Sequence, residues 1–233
     1  MEQALVDIYF YLDKSSKRQN ELMYFQRECG LALSKVLKHG ATRWLSLQTC
    51  VIRLLEQWEP LKRYFEEEMS CSKKSSSHDR LKRINRFFQD STAKLYSLFL
   101  SEVLPVFTKQ NLLLQTNSPQ LHRLHSILHE AFTDLFTRYV KPRAITKCSS
   151  IYELDHANRD NQLSRSDLII GQKTRKYLEE LKENEKITSH QETDFFYGNF
   201  VFYYYFYFIE CAHLFYFIRH IDRLLTLAYI EWG

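Results

Sequence analysis

The sequence predicts an all-α protein that folds as an irregular multi-helix bundle. Among its 233 residues there are only five Gly and four Pro, too few for the tight turns that many short strands require. Apolar residues make up 45% of the chain, as in ordinary globular proteins. These residues also recur at steps of three and four, which is the period of a helix with one buried face.

The clearest helical pattern lies in residues 46–69. Its apolar positions alternate in steps of four and three, so they form one continuous stripe that should be buried against other helices. The stripe consists of Leu47, Val51, Leu54, Trp58, Leu61 and Phe65. Ser46 is a candidate N-cap for this helix, and Pro60 predicts a kink or a short break within it.

Two shorter helices are expected before this one, over residues 2–13 and 17–37, with Ser16 as the cap of the second. Together the three helices form a predicted N-terminal unit, residues 1–69. The polar segment 70–78 is rich in Ser and Lys and predicts a flexible linker.

Residues 79–142 are expected to form a helical bundle. Its first helix is basic and amphipathic, and a second begins at Ser91 and is expected to stop near Pro105. Ser118 and Pro119 are a typical helix start, and they open a helix predicted to reach Tyr139.

Residues 143–193 predict an irregular connection that contains one helix, over 172–183. The aromatic-rich tail, 194–233, has three interpretations. It is a helix that closes the core, a membrane segment, or sequence foreign to the rest of the chain. Its charge-free run, 195–209, is shorter than the roughly 20 residues of a membrane span, which favours a buried helix over a span.

Charge and cysteine content exclude little about function but do indicate a compartment. The net charge of +4 is mild and does not by itself define a partner. The five Cys are scattered and form no Cys-x-x-Cys pair, a pattern typical of free thiols in a reducing compartment. No basic start followed by an apolar run is present, so a secretory signal is not expected. The chain is therefore expected in the nucleus or cytoplasm, and no cofactor is predicted.

Several ordered blocks of the sequence resemble hAT-superfamily transposases, and especially their domesticated host derivatives. The central block is LKHGATRWLSL at 37–47, continued by matching positions over 51–65. The others are VDIYFYLDKSSKR at 6–18, and NQL at 161–163 with LIIGQKTR at 168–175. The resemblance covers about residues 1–185. It implies a fold like the helical insertion domain of these transposases, without a complete RNase H-like core.

The resemblance also bears on catalysis. Transposases of this superfamily hold two metal ions with three carboxylates, and two of those carboxylates precede the region that this chain resembles. The acids that follow Phe195, which are Glu210, Asp222 and Glu231, lack the surroundings expected of the third. The chain is therefore expected to be catalytically inactive.

Arg43 and Trp44 are the first candidates for DNA contact. In the superfamily the matching Trp resembles a wedge that stacks on a displaced base, and stacking on an aromatic side chain is worth about 1–3 kcal/mol per base. The structural alternative is that Trp44 is a buried anchor at the start of a helix, with Arg43 paired to an acid.

The basic helix supplies four more candidates, Arg80, Lys82, Arg83 and Arg86. Residues 72–94 contain seven Lys or Arg and two Asp. Such a surplus would bind phosphate, but a charge run of this size is more often a solvated helix face and does not require a nucleic acid.

His122, His125 and His129 share one predicted helix at spacings of three and four, so a zinc site is conceivable on geometry. No further ligand completes a four-ligand set, however, and half-buried histidines beside the Leu face are the favoured interpretation.

Three functional hypotheses follow from the sequence. The first is an inactive transposase-derived fragment that serves as a DNA-associated binding module. The second is a protein–protein interaction scaffold, or a homo-oligomer. The third, least favoured, is a helical protein tethered to a membrane by its tail.

Overall fold

A computed structural model describes residues 1–39, 44–71, 78–114 and 121–198, apart from the side chains of Trp44, Leu45, His78, Asn111, Leu114, Leu121 and His122. Within these ranges the prediction of an all-α protein is confirmed. The described segments contain helices and short helical turns, and their only β pairing is an isolated bridge between Val140 and Gln162.

Five helices build the first half of the molecule. They are α1 (Glu2–Leu12), α2 (Ser16–Glu28), α3 (Trp44–Glu56), α4 (Trp58–Cys71) and α5 (His78–Gln89). Every residue of the stripe predicted from Leu47 to Phe65 is buried, none with more than 4% exposed surface. The periodicity therefore identified the correct inner face of α3 and α4.

The helix predicted over 17–37 is too long, because α2 ends at Glu28. The reason is a left-handed Gly30, with φ of +66°, in a Schellman motif. Gly30 N–H donates to the Arg27 carbonyl at 2.9 Å, and Leu31 N–H donates to the Gln26 carbonyl at 2.9 Å. Ser15, rather than Ser16, caps α2 by accepting from Arg18 N–H at 3.3 Å.

The predicted helix 46–69 is two helices joined at Gln57. Ser46 is not its N-cap, because α3 already begins at Trp44. Pro60 is the third residue of α4, where a backbone N–H has no helical partner and a proline is tolerated. The predicted break therefore exists, but three residues before Pro60.

The second half contains α6 (Ser91–Leu114), α7 (Leu121–Phe136), α8 (Pro142–Lys147) and α9 (Gln172–Glu183), with a further helical segment over 189–198. The helix predicted over 172–183 is confirmed. Two short 3-10 turns, Ile151–Glu153 and Arg159–Asn161, lie in the predicted irregular connection.

The prediction that α6 stops near Pro105 is wrong. The helix continues through Pro105 to Leu114, because Val103, Leu104, Val106 and Phe107 are buried on both sides of the proline. Burial of these side chains offsets the backbone hydrogen bond that the proline removes.

Two hydrophobic cores share α6. Leu95, Phe99 and Val103 belong to the core formed with α7 and α9, whereas Ala93 and Leu104 belong to the core formed by α1–α5. A helix with two apolar faces is expected to be buried on both.

The polar segment predicted as a linker, 70–78, overlaps α4 at its start and α5 at its end, and residues 72–77 lie outside the described part of the chain. The tail is described only as far as Gly198. Within it, Phe195 and Phe196 are buried in the core that α6 forms with α7 and α9. None of the described helices is both long and apolar enough to cross a membrane.

Candidate nucleic-acid interface

The apolar side of α5 orients its basic residues. Leu81, Ile84 and Phe88 are buried at helical spacing, and they hold α5 against α1, α4 and α6. At about 100° per residue, Lys82 and Arg86 then lie on the side away from the core. Both are exposed, and neither has an ion-pair partner in the described ranges.

Arg80 and Arg83 lie three residues apart and reach the buried carboxylate of Asp7 on α1. Arg83 donates hydrogen bonds to both carboxylate oxygens of Asp7, from Nε to Oδ2 at 2.8 Å and from Nη2 to Oδ1 at 3.0 Å. The Nε of Arg80 donates to Oδ1 at 3.2 Å. Two cations therefore bind one anion, and a positive charge remains at this edge of the helix.

The arginines keep Asp7 ionised. Burial alone would raise the pKa of Asp7, but the hydrogen bond and charge of Arg83, with hydrogen bonds from Gln3 and Arg80, hold that pKa below its ordinary value. The hydrogen bond to Asp7 in turn raises the pKa of Arg83. Asp7 and Arg83 are therefore both charged at neutral pH.

The contacts with Asp7 do not exhaust the donors of the two arginines. The side chains of Arg80 and Arg83 are 41% and 51% exposed, and a guanidinium carries five N–H donors in a planar fork. Asp7 uses one donor of Arg80 and two of Arg83. Among the described residues the remaining N–H donors have no acceptor, so they can bind an anion from solvent.

The second candidate region is the start of α3. Arg43 lies outside the described residues, and Trp44 is the first residue of α3 with an undescribed side chain. The residues that flank the pair are bound to each other, because His39 Nδ1 lies 3.1 Å from Ser46 Oγ. This hydrogen bond joins His39 to the first turn of α3.

His39 also joins this region to α1. Its side chain is 4% exposed, and its Nε2 lies 3.8 Å from a carboxylate oxygen of Glu2. Glu, His and Ser side chains together suggest a hydrolytic triad, but the geometry does not support one. The Glu2 contact is longer than a hydrogen bond, and the buried imidazole offers no access to a substrate. Of the two contacts, only the one between His39 and Ser46 is a hydrogen bond, and its role is structural.

Helix α1 links the two candidate regions. Glu2 contacts His39, and Asp7 binds Arg80 and Arg83. These positions are five residues apart, or about 7.5 Å along the helix axis. Sequence reasoning missed Asp7, although an acid beside the buried residues Ile8 and Tyr11 is a signal that a cation is nearby.

The histidine candidates lie elsewhere, on α7. His125 and His129 are exposed, their ring centroids are 6.4 Å apart, and His125 packs edge-on against Tyr152. The side chain of His122 lies outside the description. Over the described residues there is no group of three or more His, Cys, Asp or Glu side chains that could hold a metal ion.

Comparisons of this chain with protein-family models, curated proteins and solved structures gave no match.

Proposed function

We propose that this chain is a catalytically inactive, DNA-associated binding module that contacts phosphate through the outward face of α5. The observation that carries the proposal is the position of Lys82 and Arg86, both exposed and unpaired among the described residues, beside the partly exposed guanidinium groups of Arg80 and Arg83. Cations on a surface of this kind bind DNA by releasing counterions from the phosphates.

Binding through this face is expected to be independent of sequence. Contacts with phosphate position a protein on DNA, whereas contacts with base edges specify the sequence. Two to four phosphate contacts predict that the logarithm of the binding constant falls with the logarithm of salt concentration, with a slope of about −2 to −4.

Trp44 supplies the second part of the proposal, which rests on the resemblance to hAT transposases. In this proposal the indole stacks on an unpaired base, while the His39–Ser46 hydrogen bond holds the start of α3 in place. Stacking is worth about 1–3 kcal/mol per base. Trp44→Ala should therefore weaken binding to DNA that carries an unpaired base, Trp44→Phe should retain most of it, and neither should change binding to a fully paired duplex.

The central test is fluorescence anisotropy with a labelled duplex at several salt concentrations. The double variant Lys82→Ala/Arg86→Ala should lose most of its affinity and about two units of salt slope. Lys14→Ala/Arg27→Ala is the matched control, since it removes two exposed cations that have no ion-pair partner among the described residues. Equal losses in both variants would indicate a general charge effect, and salt-independent binding would refute the proposal.

A protein–protein interaction scaffold is the second candidate function. It is favoured by exposed apolar side chains on α2 and in the segment that follows it, where Tyr24 is 58% and Leu33 is 49% exposed. Light scattering after size-exclusion chromatography distinguishes the two proposals. A defined oligomer with no retention on DNA would favour the scaffold.

The membrane hypothesis concerns the aromatic tail, which lies largely outside the described residues. It predicts partition into detergent that disappears when residues 195–218 are deleted.

A further inference from the structure

A cavity of about 300 Å³ lies between α1, α2 and the extended segment 31–36. Its lining includes Leu12, Leu22, Met23, Leu33, Val36 and Gln26. Leu12 and Leu22 are each 4% exposed, whereas Leu33 is 49% exposed at the rim. The volume and the mostly apolar lining match the smaller binding sites for organic ligands.

Gln26 lines this cavity and has a side-chain oxygen whose hydrogen-bonding capacity is unused among the described residues. Its side chain is 1% exposed, and its Nε2 donates to the Ser34 carbonyl at 2.8 Å and to Gln57 Oε1 at 2.9 Å. A carbonyl can only accept, so the Ser34 contact fixes which end of the amide is nitrogen. Within the described part of the chain, Gln26 Oε1 is then a buried acceptor without a hydrogen-bond partner.

The rim indicates the charge of a suitable ligand. Asp13 and Lys35 both line the opening, so their charges oppose each other. Tyr9 lies beside them, and its hydrogen bond to Asp13 raises the pKa of the phenol, which is therefore neutral at pH 7. A rim without net charge offers no compensation for burying a charged ligand.

We propose that this cavity binds a neutral aromatic molecule of about the size of indole, with a ring N–H that donates to Gln26 Oε1. The ring would contact Leu12, Leu22 and the thioether of Met23, and sulfur–aromatic contacts are favourable. Because Oε1 is shielded from solvent, binding requires a small rearrangement of the side chains that line the cavity. The site is independent of the basic face of α5.

The test compares indole with 1-methylindole, which has the same ring but no N–H. Each compound is titrated into the full chain and followed by ¹H–¹⁵N NMR. Indole should bind at least tenfold more tightly, and the Gln26 side-chain amide should be among the shifted signals. Equal affinities, or no shift of that amide, would overturn the proposal without any variant being needed.

Variants then locate the site. Met23→Trp should abolish indole binding by filling the cavity, and Leu33→Ala should weaken it severalfold. Leu31→Ala is the matched control, since Leu31 is 38% exposed in the same segment but does not line the cavity. Gln26→Met should remove the difference between the two indoles. Far-UV circular dichroism confirms folding of each variant, and indole binding that survives Met23→Trp in a folded protein would place the ligand elsewhere.

Discussion

Asp7 shows how one buried charge can position an exposed basic surface. Its side chain is 4% exposed, yet it stays ionised because Arg80 and Arg83 bind it. A buried carboxylate without a partner is costly, so α5 can dock on α1 only in the register that brings both arginines to Asp7. That register directs Lys82 and Arg86 to solvent.

The first prediction concerns Asp7→Asn, which should lower the free energy of unfolding by about 1–3 kcal/mol at pH 7. The expected loss is less than for a fully buried pair because both arginines are about half exposed. Urea denaturation measures it, and the exposed Asp155 provides the control, since Asp155→Asn should change stability by less than about 0.5 kcal/mol.

The pH dependence of the same variant is the second prediction. The folded pKa of Asp7 lies below its ordinary value of 3.8, so the ionised group stabilises the fold above pH 3.8. That contribution is lost as pH falls through the folded pKa. The difference in stability between the wild type and Asp7→Asn should therefore be constant near neutrality and shrink at pH values below 3.8. A difference that grows on acidification would contradict this assignment.

At the scale of elements, Gly171 determines how closely α9 approaches α6. Its φ is +90° and its ψ is 146°, a backbone conformation that residues other than glycine rarely adopt. A Cβ atom built on Gly171 would also overlap the side chain of Glu102 on α6. Gly30 differs, because it shares a positive φ but has open space around it.

The third prediction is that Gly171→Ala costs about 2–4 kcal/mol of stability, from backbone strain and overlap together. Gly30→Ala should cost only about 1 kcal/mol, since it adds strain alone. Thermal denaturation compares them. The double variant Glu102→Ala/Gly171→Ala should recover part of the loss, and if it recovers none, the overlap contributes nothing.

The fourth prediction concerns the prolines of α6 and α8, whose replacement by alanine should change the stability of the protein in opposite directions. Pro105→Ala should stabilise the protein by about 1–3 kcal/mol, because it restores an N–H donor inside a helix and the exposed ring contributes little packing. Pro142 begins α8 and fits there, so Pro142→Ala should destabilise by about 0.4–1 kcal/mol through the unfolded chain. Chemical denaturation of both variants checks the signs. If both variants were stabilised, or both destabilised, the position of the proline within the helix would not determine its effect on stability.

The sequence predicted the stripe from Leu47 to Phe65, which follows from periodicity alone. The end of α2 at Gly30 also had a local signal in the glycine itself, but the helix predicted over 17–37 runs past it. The ion pair of Asp7 and Arg83 joins residues 76 positions apart, and no local pattern specifies it. The passage of α6 through Pro105 likewise depends on burial by other helices.

At the scale of the whole molecule, α6 makes the two cores depend on each other. Phe99 is 1% exposed in one core and Leu104 is 1% exposed in the other, and both lie on one continuous helix. Melting either core would expose one face of α6 to water, which costs roughly 25 cal/mol for each Å² of apolar surface. The described helices should therefore unfold as one cooperative unit.

The fifth prediction tests this coupling with one substitution in each core, in two helices that pack against α6. Leu54→Ala in α3 and Leu178→Ala in α9 each remove a buried side chain and should cost about 2–5 kcal/mol. If the cores are coupled through α6, Leu54→Ala should speed native-state hydrogen exchange in α9, and Leu178→Ala should speed it in α4. Ile52→Ala, which truncates a side chain 38% exposed on α3, should change exchange little in either core. Faster exchange confined to the mutated core would instead mean that the halves unfold independently, and the basic face of α5 would then owe its stability to α1–α4 alone.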